Sequence, residues 1–360
     1  MVAVSFPKLH CRMTVEEPST ARRPRRGGGG ITLGDVARLA GVSPITASRA
    51  LNTPDHVAKD TLAKVRDAVA RTGYVPNRMA GGLASSRSRL VAAVVPTISG
   101  PVFMEMLESL TAALADAGYQ LMLGQSGYTE SREDALLDAI IGRRPDGIVL
   151  TGIMHSAAGR RRLLAAGIPV VETWDLTPTP IDMLVGFSHA QAGAAVARHL
   201  HAKGRRRLAL LSGDDERAQR RNQGFIDEAV RLGLAGDAAD VPVRLVPAPT
   251  TLGGGRFGLA QLLDTAPAVD AVFCSSDLLA LGVLTEATAR GIDVPKQLAV
   301  IGFGDLAFAG DAHPALSTVR IDGTGIGRQA AQFIVDRAEG RPVAEKVVDL
   351  GFQIIERASG

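Results

Sequence analysis

ITLGDVARLAGVSPITASRALN, residues Ile31–Asn52, reads as two short helices joined by a tight turn. Thr32 is a helix N-cap, and Leu33, Val36, Ala37 and Ala40 then line one face at helical spacing. Gly41 stands where the chain has to turn sharply, and Val42 can plug the angle between the helices. Ser43 caps a second helix whose first turn holds Pro44, where a missing N–H costs nothing. Ala47, Ala50 and Leu51 fall on its inner side, leaving Ile45, Thr46 and Arg49 facing outward. This is helix-turn-helix grammar, which suits a second helix to the DNA major groove, although an ordinary helical hairpin shares it.

The following segment narrows the choice. Lys64, Arg66 and Arg71 accompany a third helix expected over about residues 60–72, and Tyr74-Val75-Pro76-Asn77-Arg78 comes next. TLGDVARLAGVSPITASRALN followed by YVPNRMAGGLASSRS resembles the headpiece and hinge of the lactose-repressor family of bacterial transcription factors. The resemblance extends over roughly residues 31–357. It implies an all-α helix-turn-helix headpiece at 31–77, a hinge at 78–89 and a two-lobed, periplasmic-binding-protein-like α/β core with parallel sheets at 90–357. The residues expected to face DNA are Thr32, Ser43, Pro44, Ile45, Thr46, Arg49, Asn52, Asn77, Arg78 and Leu83. Leu83 matches the family's hinge leucine, which wedges into the minor groove and kinks a base step. Gly81-Gly82 precede it, and each glycine weakens a helix by about 1 kcal/mol relative to Ala, so a reluctant hinge helix is expected.

Charge is distributed in keeping with this. The net charge is only +3, yet residues 1–30 carry +4, residues 31–89 carry +5 and the remainder −6. The first 30 residues end in ARRPRRGGGG, a composition that cannot bury a core. This tail either adds nonspecific attraction to phosphate or is a dispensable extension ahead of Met13. Two cysteines, Cys11 and Cys274, make neither a disulfide framework nor a metal site. With no signal-peptide core and no membrane-length apolar run, a cytoplasmic protein, on the nucleoid when bound to its operator, is expected.

From Leu90 short apolar runs alternate with amphipathic helices. Strands are expected at 90–95, 119–124, 147–152, 169–174, 182–187, 207–213, 271–276 and 298–303. Continuous Val/Ile/Leu runs of this length mark strands buried on both faces, as in parallel sheets built from βαβ units. The family resemblance implies two such lobes crossed three times by the chain, near Phe187, Arg320 and Val343. Lobe one would then hold about 90–187 and 320–342, lobe two about 188–319 and 343–357. Ligand is expected in the cleft at the strands' C-terminal ends.

No catalytic fingerprint survives inspection: no Walker A, no G-x-S-x-G and no H-E-x-x-H. No cofactor or metal and no enzymatic activity are expected. Arg221-Asn222-Gln223-Gly224-Phe225 matches the family's R-x-x-G-F, whose arginine contacts the effector, and Arg217 and Arg220 stand close by. Ser275-Ser276-Asp277 replaces a usual Asn-Asp, and Gly302-Phe303-Gly304-Asp305 a usual G-[FY]-D-D with its first Asp missing. An arginine cluster with one carboxylate removed favours an anionic ligand, since burying like charges together costs several kcal/mol; the alternative is a surface salt-bridge cluster. Runs such as IPVVETWDL, DDER and VFCSSDLLALG look similar to the gluconate-utilisation repressors of the family. A sugar acid is therefore expected, held by Phe103, Gln125, Glu172, Arg217, Arg221, Ser276, Asp277 and Asp305. Asp175 is a further candidate, although it and Glu172 are equally suited to a hinge or interface.

The expectation is a homodimeric repressor reading a near-palindromic operator under control of a gluconate-like effector, without membrane attachment. A neutral sugar or phosphosugar is the alternative effector. A solute-binding transport component is the alternative class, disfavoured by the headpiece and the absent signal peptide.

Overall fold

A computed structural model describes residues 30–75, 87–128, 130–153 and 155–360. Asn77, Arg78, Leu83 and the Gly81-Gly82 pair lie outside the described residues, as does the tail apart from Gly30. The chain divides into two compact units, residues 1–81 and 82–360.

The first unit holds α1 (Leu33–Ala40), α2 (Pro44–Asn52) and α3 (Lys59–Thr72). Thr32 starts α1 with a reciprocal cap: its hydroxyl accepts from Asp35 N–H while the Asp35 carboxylate accepts from Thr32 N–H. Those bonds hold the exposed Asp35 carboxyl below its ordinary range. Gly41 ends the helix at φ +68°, a left-handed turn that favours glycine. Ser43 caps α2 by accepting from Thr46 N–H at 3.1 Å, with Pro44 as first residue. Val36, Ala40, Ala50, Val65 and Ala68 form the core, closed by Val42, Leu51 and Tyr74. Small residues on α1 and α2 let three short helices pack closely around little apolar volume.

The second unit contains two six-stranded sheets. Lobe one runs β11-β5-β4-β3-β1-β2, from β1 (Leu90–Val95), β2 (Gln120–Gln125), β3 (Gly147–Thr151), β4 (Val170–Thr173), β5 (Met183–Gly186) and β11 (Val347–Asp349), all parallel. Lobe two runs β12-β10-β9-β8-β6-β7, from β6 (Leu208–Gly213), β7 (Val243–Val246), β8 (Ala271–Cys274), β9 (Ala299–Phe303), β10 (Ser317–Arg320) and β12 (Gln353–Ile355). Helices α4 (Met104–Asp116) and α11 (Gly323–Ala338) pack together in lobe one, and α7 (His189–Ala202) packs on α8 (Glu216–Arg231) in lobe two. One apolar core runs from Val91 and Tyr119 through Trp174, Phe187 and Phe303 to Leu210 and Phe273, so the lobes share a core at the hinge.

Three strand features depart from the sequence expectation. The third crossing lies at residues 350–352 and not near Val343, because β11 pairs with β5 of lobe one before the chain leaves it. β11 is a three-residue edge strand with an exposed-intermediate-exposed pattern, which carries no buried-strand signal. β12 pairs antiparallel with β10. The other strands end at the cleft, whereas β12 starts there after the crossing, so it has to run the opposite way. Finally, β2 is an edge strand with Leu123 exposed, not a strand buried on both faces.

Candidate functional site

Within the first unit, α2 carries exposed side chains at its start and middle. Ile45 is 67% exposed, and Pro44 and Arg49 are exposed beside it. Thr46 is half-buried, its hydroxyl 2.9 Å from that of Ser43. Asn52 donates to Ser48 Oγ at 3.3 Å and remains exposed. Among the described residues Arg49 has no ion-pair partner, so its planar five-donor head is available to a base edge. Thr32 and Ser43 are exposed as well, while their side-chain oxygens serve as caps.

Between the lobes of the second unit lies an open cleft, whose empty space together with the solvent at its mouth amounts to about 740 Å³. Strand ends build it: Thr97 after β1, Trp174 after β4, Ser275 and Ser276 after β8, and Phe303 at the end of β9. Phe103, Pro101 and Val102 form the lobe-one wall, and Arg217 and Arg221 enter from α8. A second recess lined by Ser126, Glu133, Asp214 and Glu216 adjoins it, sharing Tyr128, Asp215 and Arg217.

Arg217, Arg220 and Arg221 lie on one face of α8, by their spacing of three and four. Their surroundings differ. Arg220 meets the buried Asp175 carboxylate of lobe one at 3.2 Å. Arg217 lies 3.9 Å from Asp215, covers the Phe103 ring at 5.3 Å and donates across the cleft to Thr151 O at 3.4 Å. Arg221 is only 5% exposed. It donates to Ser275 O and to His189 Nδ1, both at 3.0 Å, and its guanidinium lies 3.9 Å above the Phe303 ring. Its Nε–H is buried without a partner, and no carboxylate among the described residues lies within ion-pair distance of it. Burial pulls its pKa down to about 10, so it is still a cation at neutral pH.

Two glycines bring Arg221 to this point. A Cβ at Gly224 would sit 2.0 Å from Ala190 O, and one at Gly193 would sit 1.9 Å from Arg221 O. The glycine of the R-N-Q-G-F run is thus what lets α8 press against α7, placing the arginine beside His189.

Of the eight expected ligand contacts, the fold gathers Phe103, Arg217, Arg221 and Ser276 around the cavity. Ser276 caps α10 (Asp277–Ala289), its hydroxyl also 2.8 Å from Thr250 Oγ1. The other four lie outside its lining. Gln125 ends an edge strand and points to solvent. Glu172 is fully buried away from the cavity, accepting from Ile181 N–H at 2.6 Å and facing His155 Nε2 at 3.5 Å. Asp277 is fully buried, accepting from Thr318 Oγ1 at 2.6 Å and Leu306 N–H at 2.7 Å; burial raises its pKa to about 6. Asp305 has a left-handed backbone (φ +52°) that turns its carboxylate to Arg320 and to Arg357 at 2.7 Å. A polar residue at a strand end therefore reaches the cleft only if the next bond turns it inward. Asp277 holds the loop that carries Leu306 through that residue's backbone N–H, and the backbone N–H of Asp305 donates to Thr318 Oγ1 beside it.

Sequence reading missed Trp174, His189, Phe303, Thr97 and Thr250. The aromatics had a legible signal. The chain has a single tryptophan, and it stands directly after a strand, as Phe303 stands at the end of one. In the fold Phe103 meets Trp174 edge-on at 5.0 Å, Trp174 meets Phe187 at 6.1 Å, and Phe187 meets Phe303 at 6.1 Å.

A helix-turn-helix unit joined to a two-lobed α/β unit with a cleft between its lobes is the architecture of a DNA-binding regulator. Residues 32–77 match the bacterial regulatory proteins of the lacI family, and residues 197–360 match the periplasmic binding protein-like domain. The HTH-type transcriptional regulator GntR of Pseudomonas aeruginosa is 40% identical over 329 residues, 91% of this chain and 95% of that protein. The HTH-type transcriptional regulator IdnR of Escherichia coli is 31% identical over 90% of this chain and 97% of that protein. A crystal structure of a LacI family transcriptional regulator from Silicibacter pomeroyi superposes with a TM-score of 0.85 at 33% identity, over 91% of this chain and 99% of that one. The chain belongs to the lacI family of bacterial regulatory proteins, and is a DNA-binding transcriptional regulator and not an enzyme. No helix among the described residues is long and apolar enough to cross a membrane, and no group of His, Cys, Asp and Glu there is placed to hold a metal.

Proposed function

We propose that this regulator is a repressor released or recruited by a sugar acid of the gluconate type. The observation that carries the reading is Arg221: a buried guanidinium, open on one side to a cleft, with no carboxylate partner among the described residues. A buried cation without a counter-ion is costly, and a ligand carboxylate supplies one in a site of low dielectric. The hydroxyls of Thr97, Thr250 and Ser276 offer partners to a polyol chain, and Phe103 and Trp174 offer apolar walls to its carbons.

Two copies acting together would read the two halves of a near-palindromic operator, with Ile45 and Arg49 at the base edges and the residues 78–89 at its centre. Leu123 and Leu245 on the edge strands, with Phe257, leave apolar surface exposed and support pairing of two chains. The test is calorimetric titration with gluconate, glucose and 6-phosphogluconate, on wild type and Arg221→Ala, beside gel shifts on DNA upstream of neighbouring genes. Gluconate should bind wild type and lose about 10- to 100-fold in the variant, the value of a charged hydrogen bond. Glucose binding as tight as gluconate and insensitive to Arg221 would reject the sugar-acid reading.

A further inference from the structure

His189 is the first residue of α7, immediately after the first crossing between lobes, and only 2% of it is exposed. Its Nε2 lies 2.8 Å from the carbonyl oxygen of Trp174 in lobe one, and its Nδ1 lies 3.0 Å from Arg221 Nη1 in lobe two. A carbonyl only accepts and a guanidinium only donates, so one form of the ring satisfies both: neutral, with its proton on Nε2. Burial, with Arg221 and Arg217 nearby, holds the histidine pKa well below its ordinary value and so keeps that form. The residue at the lobe-one end is itself constrained. Trp174 has φ +68°, rare for a side chain of its size, and its indole N–H donates to Met106 Sδ at 3.0 Å. Among the described residues no hydrogen bond joins Arg221 to Trp174 directly.

We propose that His189 is a positioning residue of the effector site, a neutral bridge that ties the Arg221 guanidinium of lobe two to the Trp174 backbone of lobe one. Anion capture at Arg221 is thereby transmitted across the hinge to lobe one. This rests on the reading of Arg221 as the anion anchor. An imidazolium would aim an N–H at the guanidinium, and an apolar residue would leave the Trp174 carbonyl and one Arg221 donor unpaired in a buried site. Glutamine keeps an acceptor and a donor at nearly the spacing of the two ring nitrogens.

Trp174 is the sole tryptophan, so intrinsic fluorescence reports the far end of the bridge. In ligand-free protein, Arg221→Met should shift Trp174 emission when His189 is present and leave it unmoved in a His189→Leu background. An equal shift in both backgrounds overturns the proposal. With gluconate as probe, the effector Kd is measured on free and on operator-bound protein. The two should differ about tenfold in wild type, within the usual range of allosteric coupling, and less than about twofold in His189→Leu. A wild-type ratio in His189→Leu likewise overturns it. His189→Gln should retain both the emission response and most of the ratio. If the leucine variant does not fold, the glutamine variant decides: retention supports the bridge, and loss in a folded glutamine variant sinks it. Failure of gluconate to bind wild type would refute the sugar-acid reading, while the ligand-free emission cycle still judges His189.

Discussion

The α-carbon of Gly193 faces the carbonyl oxygen of Arg221 so closely that a Cβ there would lie 1.9 Å from it. On an exposed helix Gly→Ala stabilises by about 1 kcal/mol. Here the sign reverses. Gly193→Ala forces α7 and α8 apart, costing about 1–3 kcal/mol as overpacking does. It should also weaken effector binding, because Arg221 moves with its helix. Denaturant unfolding and calorimetry on the same variant check both effects, and unchanged stability would show that the helices have slack.

Arg221 itself should reduce the stability of the empty protein. Its pKa is depressed by burial, which means folding disfavours its charge. Desolvation of a buried guanidinium that has no carboxylate within ion-pair distance opposes folding, and its hydrogen bonds to Ser275 O and His189 Nδ1 offset that only in part. Arg221→Met should therefore raise the melting temperature without ligand and abolish the further rise that ligand produces in wild type. A lower melting temperature in the empty variant would mean that its bonds to His189 and Ser275 outweigh the desolvation.

On the headpiece, Arg49→Ala should cost about 1–3 kcal/mol on the operator and far less on random DNA, as expected for a base-edge contact. Equal losses on both would make Arg49 a phosphate contact. Quantitative gel shifts over a series of salt concentrations distinguish the two, since the salt slope changes only when phosphate contacts are lost.

His155 predicts a pH effect on the core. It lies 2.5 Å from Glu133 and 3.5 Å from Glu172. Burial opposes its charge, but the two carboxylates outweigh burial and raise its pKa from 6.5 to about 9. The folded state thus holds this proton more tightly than the unfolded chain. The contribution is full below pH 6.5 and is lost as pH rises through 9, and the shift corresponds to about 3 kcal/mol. The stability gap between wild type and His155→Gln should be largest near pH 6 and shrink towards pH 10. A gap independent of pH would show that His155 is neutral in the folded protein.

The headpiece was readable because its determinants are local. Caps, a left-handed glycine and helical spacing act within a few residues of one another, so Thr32, Gly41, Ser43 and the outward Ile45 and Arg49 could be placed from order alone. Asp35 as the reciprocal capping partner was within reach by the same local rule. The buried strands β1, β3, β4, β5, β6, β8 and β9 were equally legible as apolar runs. The short edge strands β7, β11 and β12 bury too few side chains to leave a pattern, and with them went the place of the third crossing.

In the cleft, residue types in the sequence determined that arginines, aromatics and hydroxyls would stand near strand ends, and that Gly224 would follow Arg221 by three residues. Only the tertiary structure decided which of them meet. Asp277 and Asp305 occupy positions as suggestive as Arg221, yet contacts with Thr318, Arg320 and Arg357 turn them from the cavity. His189 carries no signal of its own in the sequence, and the chain's first crossing sets it between Trp174 and Arg221. The reason is one of distance: those partners are 15 and 32 residues away along the chain, so their meeting depends on how the two lobes close upon a shared core. A helix cap, by contrast, is settled within its own turn.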